Sequence, residues 1–122
     1  ICFFSVFTHL LHEESYLYLR DAPRVLKPGG KVIISFLEFK NAGHWLIFEQ
    51  GLADRRSDKV LNQFISRDTL EAWAAHAGLE VVQIYGGDET FISLDRPVKF
   101  DDGREIAGYG SLGQSVCVLT KK

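Results

Sequence analysis

The stretch RVLKPGGKVIISF, Arg24 to Phe36, contains a joint between two kinds of structure. Val25 and Leu26 close one apolar pattern, Lys27-Pro28-Gly29-Gly30 interrupts it, and Lys31 to Phe36 opens another. Pro28 cannot continue a helix, because its ring removes the N–H that the next helical bond needs. The glycines that follow admit the positive φ of a tight reversal. The Val-Ile-Ile centre of the second pattern is continuous rather than alternating, as in a strand covered on both faces. The stretch therefore predicts a helix, a sharp stop and a central strand.

Upstream, His12 to Leu26 predicts the helix. Glu13 and Glu14 suit its first turn, where acids complement the helix dipole. Leu19, Ala22 and Leu26 share a face, with Leu11 and Ser15 a turn behind. Pro23 predicts a kink or an early stop. Ile1 to Phe4 predicts a short buried strand, and Ser5 to Leu11 a turn carrying Thr8 and His9.

Downstream, the strand runs Lys31 to Leu37, with Glu38 just past its end. Trp45, Phe48, Glu49 and Leu52 at helical spacing predict a short helix over Asn41–Leu52. The charged ADRRSDK segment reads as a solvated loop, and Lys59 to Ile65 as a strand or extended linker. Ser66 is a good N-cap for a helix to Ala77, whose Leu70, Trp73, Ala74 and Ala77 repeat on one face. Gly78 stops it, and Leu79 to Tyr85 predicts a strand. Asp102-Gly103 signals a hairpin, and SVCVLTK closes the chain as an apolar strand. Strands and helices alternate, which predicts an α/β fold around a mostly parallel sheet. The last two main strands are joined without a helix, so one of them runs antiparallel. No repeat or composition shift divides the chain, so residues 1–122 read as a single domain.

The 122 residues are 46% hydrophobic and 25% charged, ordinary for one globular core. A net charge of −2 argues against a nucleic-acid or anionic-membrane surface. Cys2 and Cys117 lie in apolar runs near opposite ends and predict buried free thiols in a reducing, cytoplasmic setting. No Cys/His cluster has metal spacing. No apolar run reaches the ~18 residues of a membrane span, and no signal peptide is seen. The chain has no methionine and begins inside an apolar run, which predicts a piece of a longer protein.

SVFTHLLHEESYLYLRDAPRVLKPGGKVIISF (5–36) resembles the second half of a class I S-adenosylmethionine-dependent methyltransferase of the small-molecule type. There a strand ends near a Ser-Val-Phe-Thr-His-like segment, and a helix ending in Arg-Val-Leu-Lys-Pro-Gly-Gly leads at once into the next strand. FISRDTLEAWAAHAGLEVVQIY (64–85) is similar to the family's next unit, and the closing strand to its antiparallel last strand. The resemblance covers Ile1 to Tyr85 apart from a lid-like insert at 38–65. It reaches the hairpin-containing loop at 86–114 by position only. It implies a Rossmann-like fold with S-adenosylmethionine as cofactor and a small-molecule substrate, this chain supplying the C-terminal half. The family's glycine-rich cofactor loop is absent; GYGSLG (108–113) is followed by a strand rather than a helix and reads as a loop.

In open α/β sheets, ligands bind beyond the carboxyl ends of the strands. The resemblance places Ser5, Val6, Phe7 and Thr8 against the cofactor. His9, whose imidazole can take up or release a proton, is the candidate catalytic residue, as a base or a substrate-orienting group, against a structural half-buried role. His12 reads as a helix-start surface residue. Glu38, His44 and Trp45 lie where the family builds substrate lids and are the candidate substrate-binding residues. The competing expectations are a solvated acid at Glu38 and a helix docked on the core at Trp45. A different class of function is a non-catalytic module that forms a dimer through residues 1–4, an apolar sheet edge. A nicotinamide dehydrogenase fragment shares the layers but not the Lys-Pro-Gly-Gly joint in this setting.

Overall fold

The computed structural model describes residues 1–122. It contains β1 (Cys2–Phe3), a 3-10 turn (Phe7–His9), α1 (His12–Val25), β2 (Lys31–Phe36), α2 (Ala42–Ala53), α3 (Arg67–Ala77) and β3 (Leu79–Tyr85). Four two-residue strands follow: β4 (Ile92–Ser93), β5 (Val98–Lys99), β6 (Glu105–Ile106) and β7 (Tyr109–Gly110). β8 (Ser115–Lys121) ends the chain.

The helix, stop and strand of the Arg24–Phe36 joint are as the residues require, but the strand is not covered on both faces: Val32, Ile34 and Phe36 are buried and Ile33 is exposed. α1 carries Pro23 in its last turn and stops two residues later, at Val25. Gly29 takes the reversal at φ 76°. Gly30 is needed for a different reason: a Cβ there would stand 2.9 Å from the Lys27 carbonyl oxygen. β2 then enters the middle of a four-stranded sheet of order β1-β2-β8-β3.

That order corrects the expectation of a mostly parallel sheet. β1 pairs with β2 in parallel, but β8 lies between β2 and β3 and pairs antiparallel with both. The antiparallel last strand itself was expected, since no helix separates it from β3. Its place inside the sheet follows from its composition: Ser115, Val116, Cys117 and Leu119 are all buried. β1, β2 and β3 still point the same way, so their carboxyl ends meet at one edge, beside the amino end of β8. Phe36 is there paired with Ser115, and Tyr85 with Val116.

The core lies on one face of this sheet. Val32, Ile34 and Phe36 of β2 and Cys117 and Leu119 of β8 meet Leu19 and Ala22 of α1 and Leu70, Ala74 and Ala77 of α3. Burial of the Val, Ile, Leu and Phe side chains among them contributes roughly 1.5–3 kcal/mol each. α3 is fixed at both ends: Ser66 Oγ accepts from the Thr69 N–H, and Gly78 turns left-handed at φ 75°. Asp102-Gly103 makes the expected hairpin between β5 and β6. Lys59 to Ile65 is an extended linker, touching the sheet through a single bridge from Phe64 to Leu37.

Two further expectations are corrected at the start of the chain. The first strand is only Cys2–Phe3, with Ile1 and Phe4 exposed, because β1 is an edge strand paired on one side alone. For the same reason Cys2 is exposed, whereas Cys117 is buried. No helix is long and apolar enough to cross a membrane. No three His, Cys, Asp or Glu side chains are grouped to hold a metal ion.

Burial, with the nearby Glu71 carboxylate, pushes the Cys117 thiol up to about 12. Alkylation of the native protein at neutral pH is therefore expected to label Cys2 and leave Cys117 untouched until denaturant is added. Equal labelling of both thiols, read by mass spectrometry, would contradict the central placement of β8.

Candidate functional site

The carboxyl edge of the sheet is built by three polar clusters. The first follows β1. Ser5 has a left-handed backbone, φ 56°, which swings the chain out of the sheet. Its N–H donates to Ser35 Oγ at 2.7 Å, Ser35 Oγ donates to Gln114 Oε1 at 2.7 Å, and Gln114 Nε2 donates to Ser5 Oγ at 2.8 Å. The three residues close a ring. Past it, Val6 is exposed, while Phe7 and Thr8 are buried. Phe7 packs on Phe3 with ring centroids 5.0 Å apart. The Thr8 hydroxyl is buried without a hydrogen-bond partner. Of the expected cofactor-facing residues, the structure thus leaves Ser5 and Val6 accessible at the edge and turns the Phe7 side chain into the core.

The second cluster joins this turn to the return segment of the insert. His9 is exposed, and its Nδ1 donates to the Leu61 carbonyl oxygen at 2.7 Å. The Gln63 N–H donates to the Thr8 carbonyl oxygen at 2.8 Å. His12 Nε2 lies 2.9 Å from the Phe64 carbonyl oxygen and 2.8 Å from Gln63 Nε2. His12 is therefore bound to the insert rather than free on the surface. A carbonyl acceptor fixes the hydrogen of His9 on Nδ1, which leaves Nε2 as a proton acceptor facing outward.

Beside His9, the insert forms an apolar groove of about 420 Å³ lined by Ile47, Phe48, Leu52, Val60, Leu61 and Phe64. That size suits a small organic molecule. Phe39 and Phe64 stack at 4.5 Å, and Trp45 lies 5.1 Å from Phe48 in the same aromatic cluster. Trp45 is half-exposed, and its Nε1 donates to Glu49.

The third cluster follows β2. Glu38 is 6% exposed, not the solvated acid that its position in the chain suggests. Arg67 Nε donates to Glu38 Oε1 at 2.9 Å and Arg67 Nη2 to Oε2 at 3.2 Å. The Ser115 hydroxyl also donates to Oε2. His44, likewise buried, accepts the Glu38 N–H at Nδ1, 3.0 Å, and donates from Nε2 to the Gly113 carbonyl oxygen at 2.6 Å. Gly87 must be glycine: a Cβ would collide with the Gly113 carbonyl and stand 2.9 Å from His44 Nε2. Burial alone pushes the Glu38 carboxyl up, but the hydrogen bonds from Arg67 and Ser115 and the Arg67 charge outweigh it and hold it below the usual range. An open cleft of about 900 Å³ adjoins this cluster, lined by Glu38, Arg67, Asp88 and Glu89 among others.

Solved structures share this arrangement of elements. One is the O-methyltransferase NcsB1 from neocarzinostatin biosynthesis, in complex with S-adenosyl-L-homocysteine and 1,4-dihydroxy-2-naphthoic acid. It is 14% identical, with a TM-score of 0.60, over 99% of this chain and 28% of that one. A second is the magnesium protoporphyrin IX methyltransferase ChlM from Synechocystis PCC 6803 with bound S-adenosyl-L-homocysteine, 10% identical, TM-score 0.58, over 99% of this chain and 43% of that one. The chain shares the fold of these two methyltransferases. A third structure, TnmH, is similar at 16% identity and a TM-score of 0.55, over 99% of this chain and 30% of that one. No family model and no curated protein matches the sequence. The chain thus spans between 28% and 43% of the length of these structures.

Against the methyltransferase fold, the structure brings Ser5, Val6 and His9 to one end of the carboxyl edge and Glu38 and His44 to the other. Trp45 stands between the insert and solvent. Sequence reasoning missed Ser35, Arg67, Gln114 and Ser115. A polar residue at the amino end of an apolar strand, as Ser115 is, signals little until its pairing with the end of β2 is known.

Arg67→Ala leaves the Glu38 carboxylate buried with fewer donors. The expected loss at neutral pH is about 1–3 kcal/mol, at the low end because Arg67 is half-exposed. The native carboxyl is lowered, so the pair stabilises above the ordinary glutamate value of 4.5 and fades as pH falls through the native one. Urea titrations of wild type and variant, run at neutral pH and in acid well below 4.5, are expected to converge at the lower pH. A difference that is the same at both pH values would contradict the ion pair as its source.

Proposed function

We propose that the parent protein transfers the methyl group of S-adenosylmethionine to a small-molecule acceptor, and that this chain supplies the C-terminal half of the domain. One observation carries the proposal: His9 is locked through Nδ1 onto the insert, beside an apolar groove, at the carboxyl edge of a methyltransferase fold. The neighbours' complexes support the cofactor, and the neighbours' coverage supports a partial domain.

The residues present fit part of a cofactor cradle. Ser5 offers a hydroxyl and a turned-out backbone, Val6 an exposed apolar face, and Thr8 an unsatisfied hydroxyl just behind them. We assign cofactor contact to Ser5 and Val6, with Phe7 and Thr8 supporting them from the core. When bound, S-adenosylmethionine supplies a methyl group on a positively charged sulfur, which leaves as a neutral thioether. The groove holds the apolar body of the acceptor, and Phe48 and Trp45 exclude water from it. His9 Nε2 receives the proton from the acceptor's attacking oxygen or nitrogen. Alignment does most of the remaining work, because two reactants held in line no longer need to find one another. Glu38 and His44 place the insert.

In the full-length protein, His9→Ala is expected to lower kcat by about 10²-fold with the fold intact. Phe48→Ala is expected to raise KM more than it lowers kcat. A full-length protein that binds no S-adenosylhomocysteine in calorimetry would overturn the assignment. A second function has one feature in its favour: β1 is an edge strand between the exposed Ile1 and Phe4, open to pairing with a second copy. A dimer in sedimentation that dissociates on Phe4→Lys, together with no cofactor binding, would favour it.

A further inference from the structure

Ser5 is the one non-glycine residue of the chain with a positive φ. That conformation is unfavourable for a residue carrying a Cβ, and it persists where the surroundings over-determine it. Here the surroundings are Ser35 and Gln114, which close a hydrogen-bonded ring with Ser5. The Ser5 N–H donates to Ser35 Oγ, and the Ser35 hydroxyl donates to Gln114 Oε1. This fixes the Gln114 amide, whose Nε2 then donates to Ser5 Oγ. The Ser5 hydroxyl hydrogen and the second N–H of the Gln114 amide are the donors that the ring does not use.

Gln114 is itself held on both sides. The preceding carbonyl, of Gly113, accepts from His44, and the following hydroxyl, of Ser115, donates to Glu38. Gln114 therefore reaches Ser5 from a fixed point 109 residues away in the chain. We infer that Gln114 is a positioning residue: it holds Ser5 in the left-handed conformation and so sets where Ser5 and Val6 stand at the carboxyl edge. The inference rests on the methyltransferase assignment for what those two residues face. Gln114 touches no ligand itself and acts through Ser5.

A double-mutant cycle in the full-length protein tests this, with S-adenosylhomocysteine as the probe in calorimetry. Gln114→Leu, close in size but unable to close the ring, is expected to weaken binding about tenfold. Gln114→Glu is expected to stay within about threefold of wild type, since its carboxylate accepts from both serine hydroxyls. Glycine enters the left-handed region freely, so with Ser5→Gly in place Gln114→Leu is expected to cost less than about twofold. Additive losses at the two positions, or undiminished binding by Gln114→Leu, overturn the inference. A wild type that binds no probe overturns the methyltransferase assignment instead. The same cycle read on urea stability then decides the coupling: a loss on Gln114→Leu that vanishes in the glycine background supports the positioning role, and additivity overturns it.

Discussion

Three consecutive residues, Gly113, Gln114 and Ser115, hold the carboxyl edge together. Gly113 accepts from His44 of α2, Gln114 closes the ring on Ser5 and Ser35, and Ser115 donates to Glu38 and accepts the Gly87 N–H. The insert, the turn after β1, the segment after β2 and the turn after β3 all converge on this short stretch. It can serve them only because β8 runs antiparallel between β2 and β3, which brings its amino end to the edge where the other strands finish. A strand added at the outer edge of the sheet would reach β3 alone.

This clip divides the polar residues of the edge into two kinds. Glu38 and His44 spend their polar atoms on the structure: both carboxylate oxygens and both ring nitrogens have partners. Buried polar groups of this sort specify one arrangement, because each would be costly to leave unpaired. His9 differs. One nitrogen is bound to Leu61 and the other is open, which is the disposition of an oriented base. The same insert that the clip anchors through His44 therefore orients His9 at its far end. Placement of the insert and placement of His9 are then one structural problem rather than two.

Much of the framework was legible locally. The Arg24–Phe36 joint, the Ser66 cap, the Gly78 stop and the Asp102-Gly103 hairpin each follow from residues within a few positions of one another. What was not legible depends on distant pairing. Nothing near Ser115 announces that it will meet Glu38, 77 residues earlier, and Arg67 lies 29 residues from the same carboxylate. Without those partners an acid after a strand reads as solvated. The expectation of a mostly parallel sheet fails for the same reason: the run SVCVLTK says that β8 is buried, but not between which neighbours. Cys2 was expected inside because its run is apolar, yet an edge strand leaves such a residue open. At the site, the positions of Ser5, His9 and Trp45 could be read from motif and spacing, but their environments could not. The burial of Phe7 came from packing on Phe3 that the run itself does not specify.

The central claim is that the Gly113–Ser115 clip makes one cooperative unit of these segments. Native-state hydrogen exchange of the Ser5, Glu38 and Gly87 amides tests it most directly. Each donates to a side chain in a different part of the network: Ser5 to Ser35, Glu38 to His44, Gly87 to Ser115. If the clip organises the edge, the three amides open together, with one free energy and one denaturant dependence. Three unrelated opening energies would contradict it and leave the clusters as independent local contacts.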